Sequence, residues 1–165
     1  MAVAPPAPLR SAWALWAAAP DHTPRAATVN DRRFKILLID DDPDFHQVVE
    51  LLLGSDKYEL TCCRTGAEGL EAMRRQRPDL VLLDIMLTHP SEGLQVAGKM
   101  RQDGTLKDIP IIIMSAIGER MGADYAKEVC PVPLNADLFL EKPLEAGVVR
   151  QAVQSVLAKR YGSAR

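Results

Sequence analysis

The chain has 165 residues, 47% of them hydrophobic and 25% charged, with a formal net charge of -2. That composition suits a globular domain with a full-sized core, and it argues against the basic surface expected of a nucleic-acid-binding domain. No apolar run approaches the ~18 residues of a membrane-spanning helix, and three cysteines, two of them adjacent (Cys62, Cys63), form neither a disulfide framework nor a zinc site. A reducing, cytoplasmic location fits.

Residues 1–33 stand apart. They are rich in Ala and Pro, hold both tryptophans (Trp13, Trp16), and lack the charged start and longer apolar centre of a signal peptide. They read as a disordered extension; a short docking motif around the tryptophans is the functional alternative. The domain proper is expected over residues 34–160, with a tail at 161–165.

Residues 34–39 predict a strand, whose apolar run 36–39, ending in Asp40, Asp41 and Asp42, reads as buried on both faces. Asp42 is placed to cap the next helix, with Pro43 at its first position, where a missing N–H costs nothing. Phe45, Val48, Val49 and Leu52 keep helical spacing, and Gly54 ends the helix. Residues 58–63 read as a second strand, on which Cys62 and Cys63 point to opposite faces. Thr65 and Glu68 form a capping box for a helix through Leu70 and Met73. Arg74, Arg75 and Arg77 lie at its end, and Pro78 stops it. Residues 79–83 predict the third strand, 88–91 a loop, and 93–101 a helix. Residues 108–114 predict the fourth strand. Pro131 and Pro133 prevent one continuous helix over 118–136. Residues 138–141 are the fifth strand. The last helix carries Val149, Ala152, Val153 and Val156 on one face and frays at Tyr161 and Gly162. Strands alternating with helices imply right-handed crossovers, a parallel sheet and helices on both faces.

Four of these runs finish on residues that handle phosphate or metal: Asp40 and Asp41, Asp84, Ser115, and Lys142. In open parallel sheets ligands bind beyond the carboxyl ends of the strands, so these side chains share one rim. Clustered carboxylates repel: two charges ~4 Å apart cost about 4 kcal/mol at an effective dielectric of ~20. Such a cluster takes up protons or binds a cation, and all-oxygen donors suit Mg²⁺. A lysine and a hydroxyl complete a set for phosphoryl transfer, in which an aspartate can itself be the nucleophile. Read singly, the acids are helix caps and the Ser and Lys merely end strands; their joint occurrence in this order favours the chemical reading.

The motifs I-L-L-I-D-D-D-P, D-L-V-L-L-D-I-M-L, I-P-I-I-I-M-S-A and F-L-E-K-P-L resemble the receiver domain of bacterial two-component response regulators. The resemblance covers residues 34 to about 160. It implies a five-stranded, doubly wound, flavodoxin-like fold of strand order 2-1-3-4-5. It also implies that Asp84 is the phosphoacceptor, that Asp41 ligates Mg²⁺ directly, and that Asp40 holds a metal-bound water. Asp84 and the backbone carbonyl of Met86 complete the protein's metal ligands. Ser115 matches the switch hydroxyl, Lys142 the phosphoryl-pairing lysine, and Phe139 the switch aromatic on the face formed by the family's fourth helix, fifth strand and fifth helix. A cis peptide bond before Pro143 is part of the pattern. The implied partners are a sensor histidine kinase or histidine phosphotransfer protein and an unidentified downstream protein. The domain is then a signalling module with only self-catalysed phosphorylation and dephosphorylation, not an enzyme.

The sequence departs from the family at three places. Thr88 stands where a proline is usual, the loop to Gly93 is one residue longer, and the segment between Ser115 and Lys142 is extended. These bear on the output face rather than on the phosphorylation chemistry. Met86 and Ile117, which flank the phosphoacceptor in the family's pattern, offer nothing to orient water, so the expected phosphoryl group is long-lived. His89 reads as a solvated loop residue, and His22 and His46 lack metal-ligand spacing. Because the chain stops just after its last helix, the expected form is a stand-alone receiver. A phosphorylation-independent docking module and an aspartyl-phosphate hydrolase are the alternatives. The latter wants an acid two residues after its nucleophile, where Met86 stands.

Overall fold

A computed structural model describes residues 32–54, 57–89, 92–116 and 136–162. Trp13, Trp16, His22, Ile117 and almost all of the 118–136 stretch lie outside the described residues.

The elements run β1 (Phe34–Ile39), α1 (Pro43–Leu53), β2 (Tyr58–Cys63), α2 (Gly66–Gln76), β3 (Leu80–Asp84), α3 (Glu92–Gln102), β4 (Ile111–Ser115), β5 (Leu138–Glu141) and α4 (Ala146–Tyr161). The five strands form one parallel sheet in the order β2-β1-β3-β4-β5. This is the flavodoxin-like doubly wound fold expected from the sequence.

Successive strand residues feed opposite cores, as the period of two requires. Leu37, Ile39, Leu83 and Ile113 pack with Leu70 and Met73 of α2 and with Val96 and Met100 of α3. Ile36, Leu38, Leu82 and Ile112 pack with Val49 and Leu53 of α1 and with Val149 and Val153 of α4. Cys63 joins the first core and Cys62 borders the second, so the adjacent cysteines do point apart. Burial and the nearby Glu50 carboxylate push the Cys62 thiol up to about 11. Among the described residues no helix is long and apolar enough to cross a membrane.

Local signals act where the sequence places them. The Asp42 side chain accepts from the N–H groups of Asp44 (2.9 Å) and Phe45 (3.4 Å), with Pro43 opening α1. Thr65 Oγ1 accepts from Glu68 N at 3.2 Å. The return bond of Glu68 goes to Arg64 N, one residue before the cap. Arg77, left-handed at φ 48°, closes α2 by donating its N–H to the Met73 carbonyl, and Pro78 follows.

Several boundaries move from their sequence-based positions, three of them for a visible reason. β4 begins at Ile111 rather than 108, because residues 103–110 are held in turns. Asp103 Oδ1 accepts from Thr105 N and Oγ1, Arg101 donates to the carbonyls of Lys107 and Ile109, and Pro110 has no N–H to give a ladder. α4 does not fray at Tyr161, whose hydroxyl donates to the Asp79 carbonyl at 3.3 Å and whose ring lies 5.8 Å from that of Phe34. β3 begins at Leu80, because Asp79 serves as a buried clamp at the amino end of the sheet. Its carboxylate accepts from Lys35 N at 2.9 Å and pairs with Arg32, and its own N–H donates to the Lys35 carbonyl at 2.7 Å.

Replacing Asp79 therefore strands the Lys35 N–H and frees Arg32. Asp79→Ala is expected to lower unfolding stability by about 1–3 kcal/mol, the usual cost of a buried donor left unpaired. Urea denaturation of the two proteins measures it.

Candidate functional site

The sheet register builds the site. β1 and β3 pair Ile39 with Leu83, so the next step along the same register brings Asp40 beside Asp84. β4 and β5 pair Ser115 with Glu141, which makes Lys142 the next residue out. The Lys142 N–H donates to the Ser115 carbonyl at 2.8 Å, and the Lys142–Pro143 peptide bond is cis. Asp40, Asp41, Asp84, Met86, Thr88 and Lys142 line a cavity of about 350 Å³ at the carboxyl ends of the strands.

Lys142 holds this arrangement. Its Nζ donates to Asp40 Oδ2 at 2.5 Å and to Asp84 Oδ2 at 2.7 Å. The remaining carboxylate oxygens also have partners: Asp40 Oδ1 accepts from Asp42 N at 3.0 Å, and Asp84 Oδ1 from Met86 N at 2.8 Å. Asp40 is fully buried and Asp84 nearly so, and unpaired carboxylates cannot stay ionised at such positions. Burial raises the Asp84 carboxyl above the ordinary aspartate range, while Lys142 and the Met86 N–H pull it part of the way back. Burial alone would lower the Lys142 ammonium, but its hydrogen bonds to Asp40 and Asp84 outweigh that and hold it above its ordinary value.

Asp41 is exposed at the mouth of the cavity. One carboxylate oxygen from each of Asp40, Asp41 and Asp84 lies within 4.8 Å of the others. Three carboxylates and one ammonium leave two negative charges, and the donors are all hard oxygens, so the set fits a divalent ion of the Mg²⁺ type. Ser115 ends β4 and is fully buried, outside the residues that line the cavity. Phe139 is 49% exposed and likewise apart from the cavity. His89 is exposed on the loop after β3.

The sequence reading passed over four participants. Phe45 places its ring 4.4 Å from Lys142 Nζ, and His46 Nε2 donates to the Asp40 carbonyl at 2.6 Å. Both lie on the first turn of α1, and their signal was only that this turn follows the acidic run directly. Glu92 Oε1 accepts from Gly66 N at 2.8 Å, tying the start of α3 to the start of α2. Gly93 lets α3 approach the end of β3: a Cβ there would meet the Asp84 carbonyl oxygen and come within 2.6 Å of Ile85 Cα.

Residues 36–154 match the family described as the response regulator receiver domain. The chain belongs to this family. Receiver domains are signalling domains of two-component systems rather than classical enzymes. Among curated proteins, this receiver is 31% identical over 129 residues to the transcriptional regulatory protein CseB of Streptomyces coelicolor, a match covering 78% of the chain and 51% of that protein. The chain thus spans about half the length of the curated relatives it matches. Among solved structures it is similar to the receiver domain of the Pseudomonas aeruginosa sensor histidine kinase PA1611, with TM-score 0.64 and 26% identity over 80% of this chain and 100% of the other. That domain was solved with a magnesium ion coordinated in its active-site cleft. A CheY-like receiver protein of Methanospirillum hungatei shares the fold, with TM-score 0.64 and 20% identity, over 78% of this chain and 97% of the other.

Two substitutions test the geometry. Lys142→Met leaves two buried carboxylates without their cation and is expected to cost about 3–5 kcal/mol at neutral pH, the range for a broken buried pair. Gly93→Ala forces α3 away from Asp84 and is expected to cost about 1–3 kcal/mol, as overpacking does. Denaturant titration reads both, and a loss below 1 kcal/mol in either would contradict the packing described.

Proposed function

We propose that this receiver accepts a phosphoryl group on Asp84 from the phosphohistidine of a sensor kinase or phosphotransfer protein, in the cytoplasm, and signals by changing its contacts with other proteins. The observation that carries the reading is the pair of hydrogen bonds from Lys142 to Asp40 and Asp84 inside a cavity that also holds Asp41.

One Asp84 carboxylate oxygen attacks phosphorus. The new O–P bond forms as the donor's N–P bond breaks, and the imidazole nitrogen leaves with the electron pair and takes a proton from water. Lys142 then moves its ammonium from the carboxylates to a phosphoryl oxygen, as a point charge suits. The Ser115 hydroxyl donates to a second phosphoryl oxygen, and Phe139 turns inward as Ser115 shifts. Asp40, Asp41, Asp84 and the Met86 carbonyl would hold Mg²⁺, which supplies charge neutralisation for the incoming phosphoryl oxygens. Met86 presents only an apolar side chain to the cavity, which supports a slow loss of the phosphoryl group.

Incubation with acetyl phosphate and Mg²⁺, followed by intact mass, tests the proposal. The expected result is one added phosphoryl group that requires Mg²⁺ and is absent from Asp84→Asn. An adduct indifferent to Asp84, or none at all, would favour the phosphorylation-independent docking module.

A further inference from the structure

A second and larger cavity, about 940 Å³, lies between α2 and α3. Its floor is apolar, with Leu70 from α2 and Val96 from α3, both buried. Its rim carries the exposed cations Arg74 and Lys99 and the exposed imidazole of His89. Glu92 is the one acid in the lining, and its carboxylate is committed to the Gly66 N–H at the start of α2.

Arg74 reaches Asp103 at 3.5 Å, with 61% of its side chain exposed. Exposed pairs of this kind contribute little, and Asp103 is separately satisfied by Thr105. Arg74 can therefore exchange this carboxylate for an incoming one at small cost. The amino end of α2 adds positive potential to the same groove.

We propose that this groove docks an acidic segment of a partner protein, one that sets carboxylates against Arg74 and Lys99 and an apolar side chain on Leu70 and Val96. Charge complementarity selects the acid, and the apolar floor selects a polypeptide over a nucleic-acid backbone, which has no apolar group to place there. The concave shape suits a segment rather than a membrane surface. Thr88 lines both this groove and the phosphoacceptor cavity, so an occupant touches the loop that closes the site. Coupling between sites is reciprocal: the segment's affinity changes on phosphorylation, and the segment changes the phosphorylation equilibrium. The docking stands by itself, and only this coupling rests on the phosphoacceptor reading.

The test uses fluorescein-labelled peptides of alternating Glu and Leu, Gln and Leu, or Lys and Leu, read by fluorescence anisotropy on the full chain. The Glu–Leu peptide is expected to bind, and Arg74→Glu and Lys99→Glu each to weaken it by about tenfold or more, as reversal of a complementary charge does. Lys159→Glu, on the exposed last turn of α4, is expected to bind as the wild type does. Asp84→Asn is also expected to bind the peptide, so a failed phosphorylation would leave the docking intact. Equal binding of the three peptides, insensitivity to both groove variants, or full competition by single-stranded DNA would overturn the proposal.

Discussion

The structure depends on one ammonium between two buried carboxylates. Asp40 and Asp84 end neighbouring strands and are removed from water, a position in which like charges ~4 Å apart would oppose folding by about 4 kcal/mol at an effective dielectric of ~20. Lys142 turns that repulsion into two short hydrogen bonds. It reaches them from the far end of the chain, 102 residues from Asp40. Nothing local can make this contact; only closure of the whole sheet order does. The proposed phosphoacceptor site and the completion of the fold are thus linked at the same atoms.

That link explains why so much packing converges on the rim. Phe45 lies against the Lys142 ammonium, His46 holds the Asp40 carbonyl, and the cis Lys142–Pro143 bond follows directly on β5. Gly93 and Glu92 dock the start of α3 onto the end of β3 and the start of α2. His46 fixes the backbone at Asp40 and Gly93 lets α3 close on the backbone at Asp84. Positioning of this kind is most of what phosphoryl transfer asks of a protein, since the covalent chemistry is slight.

The centre of the sheet, β1, β3 and β4, was legible because buried parallel strands write themselves as continuous apolar runs. β1, β2 and β5 fall on the predicted residues, although β2 and β5, at the two edges of the sheet, are only partly buried, and Asp40 after β1 and Lys142 after β5 locate the rim. What stayed hidden was decided by contacts that cross the chain. Asp79 reads as the first residue of a strand, yet its carboxylate is spent on Lys35 and Arg32. Tyr161 reads as a fraying end, yet Asp79 and Phe34 hold it. The 103–110 turns carry Leu106 and Ile109, whose apolar character extends the apparent strand, while Asp103 and Arg101 bend the backbone by side-chain bonds that no periodicity reveals. Phe45 was placed on the correct helix but counted only as core, because a cation over a ring has no spacing of its own.

The same bonds that stabilise the site would oppose the proposed phosphoryl transfer. Both Asp84 oxygens are engaged, Oδ1 by the Met86 N–H and Oδ2 by Lys142, and an engaged carboxylate is a poorer nucleophile. In the proposed transfer, a phosphoryl group arriving on Asp84 would offer Lys142 oxygens carrying more negative charge than the carboxylate it leaves, while Asp40 keeps its bond from the Asp42 N–H. Sharing the ammonium between Asp40 and Asp84 keeps the cation beside both acids, so in the proposed transfer it would have only a short way to move to a phosphoryl oxygen on Asp84.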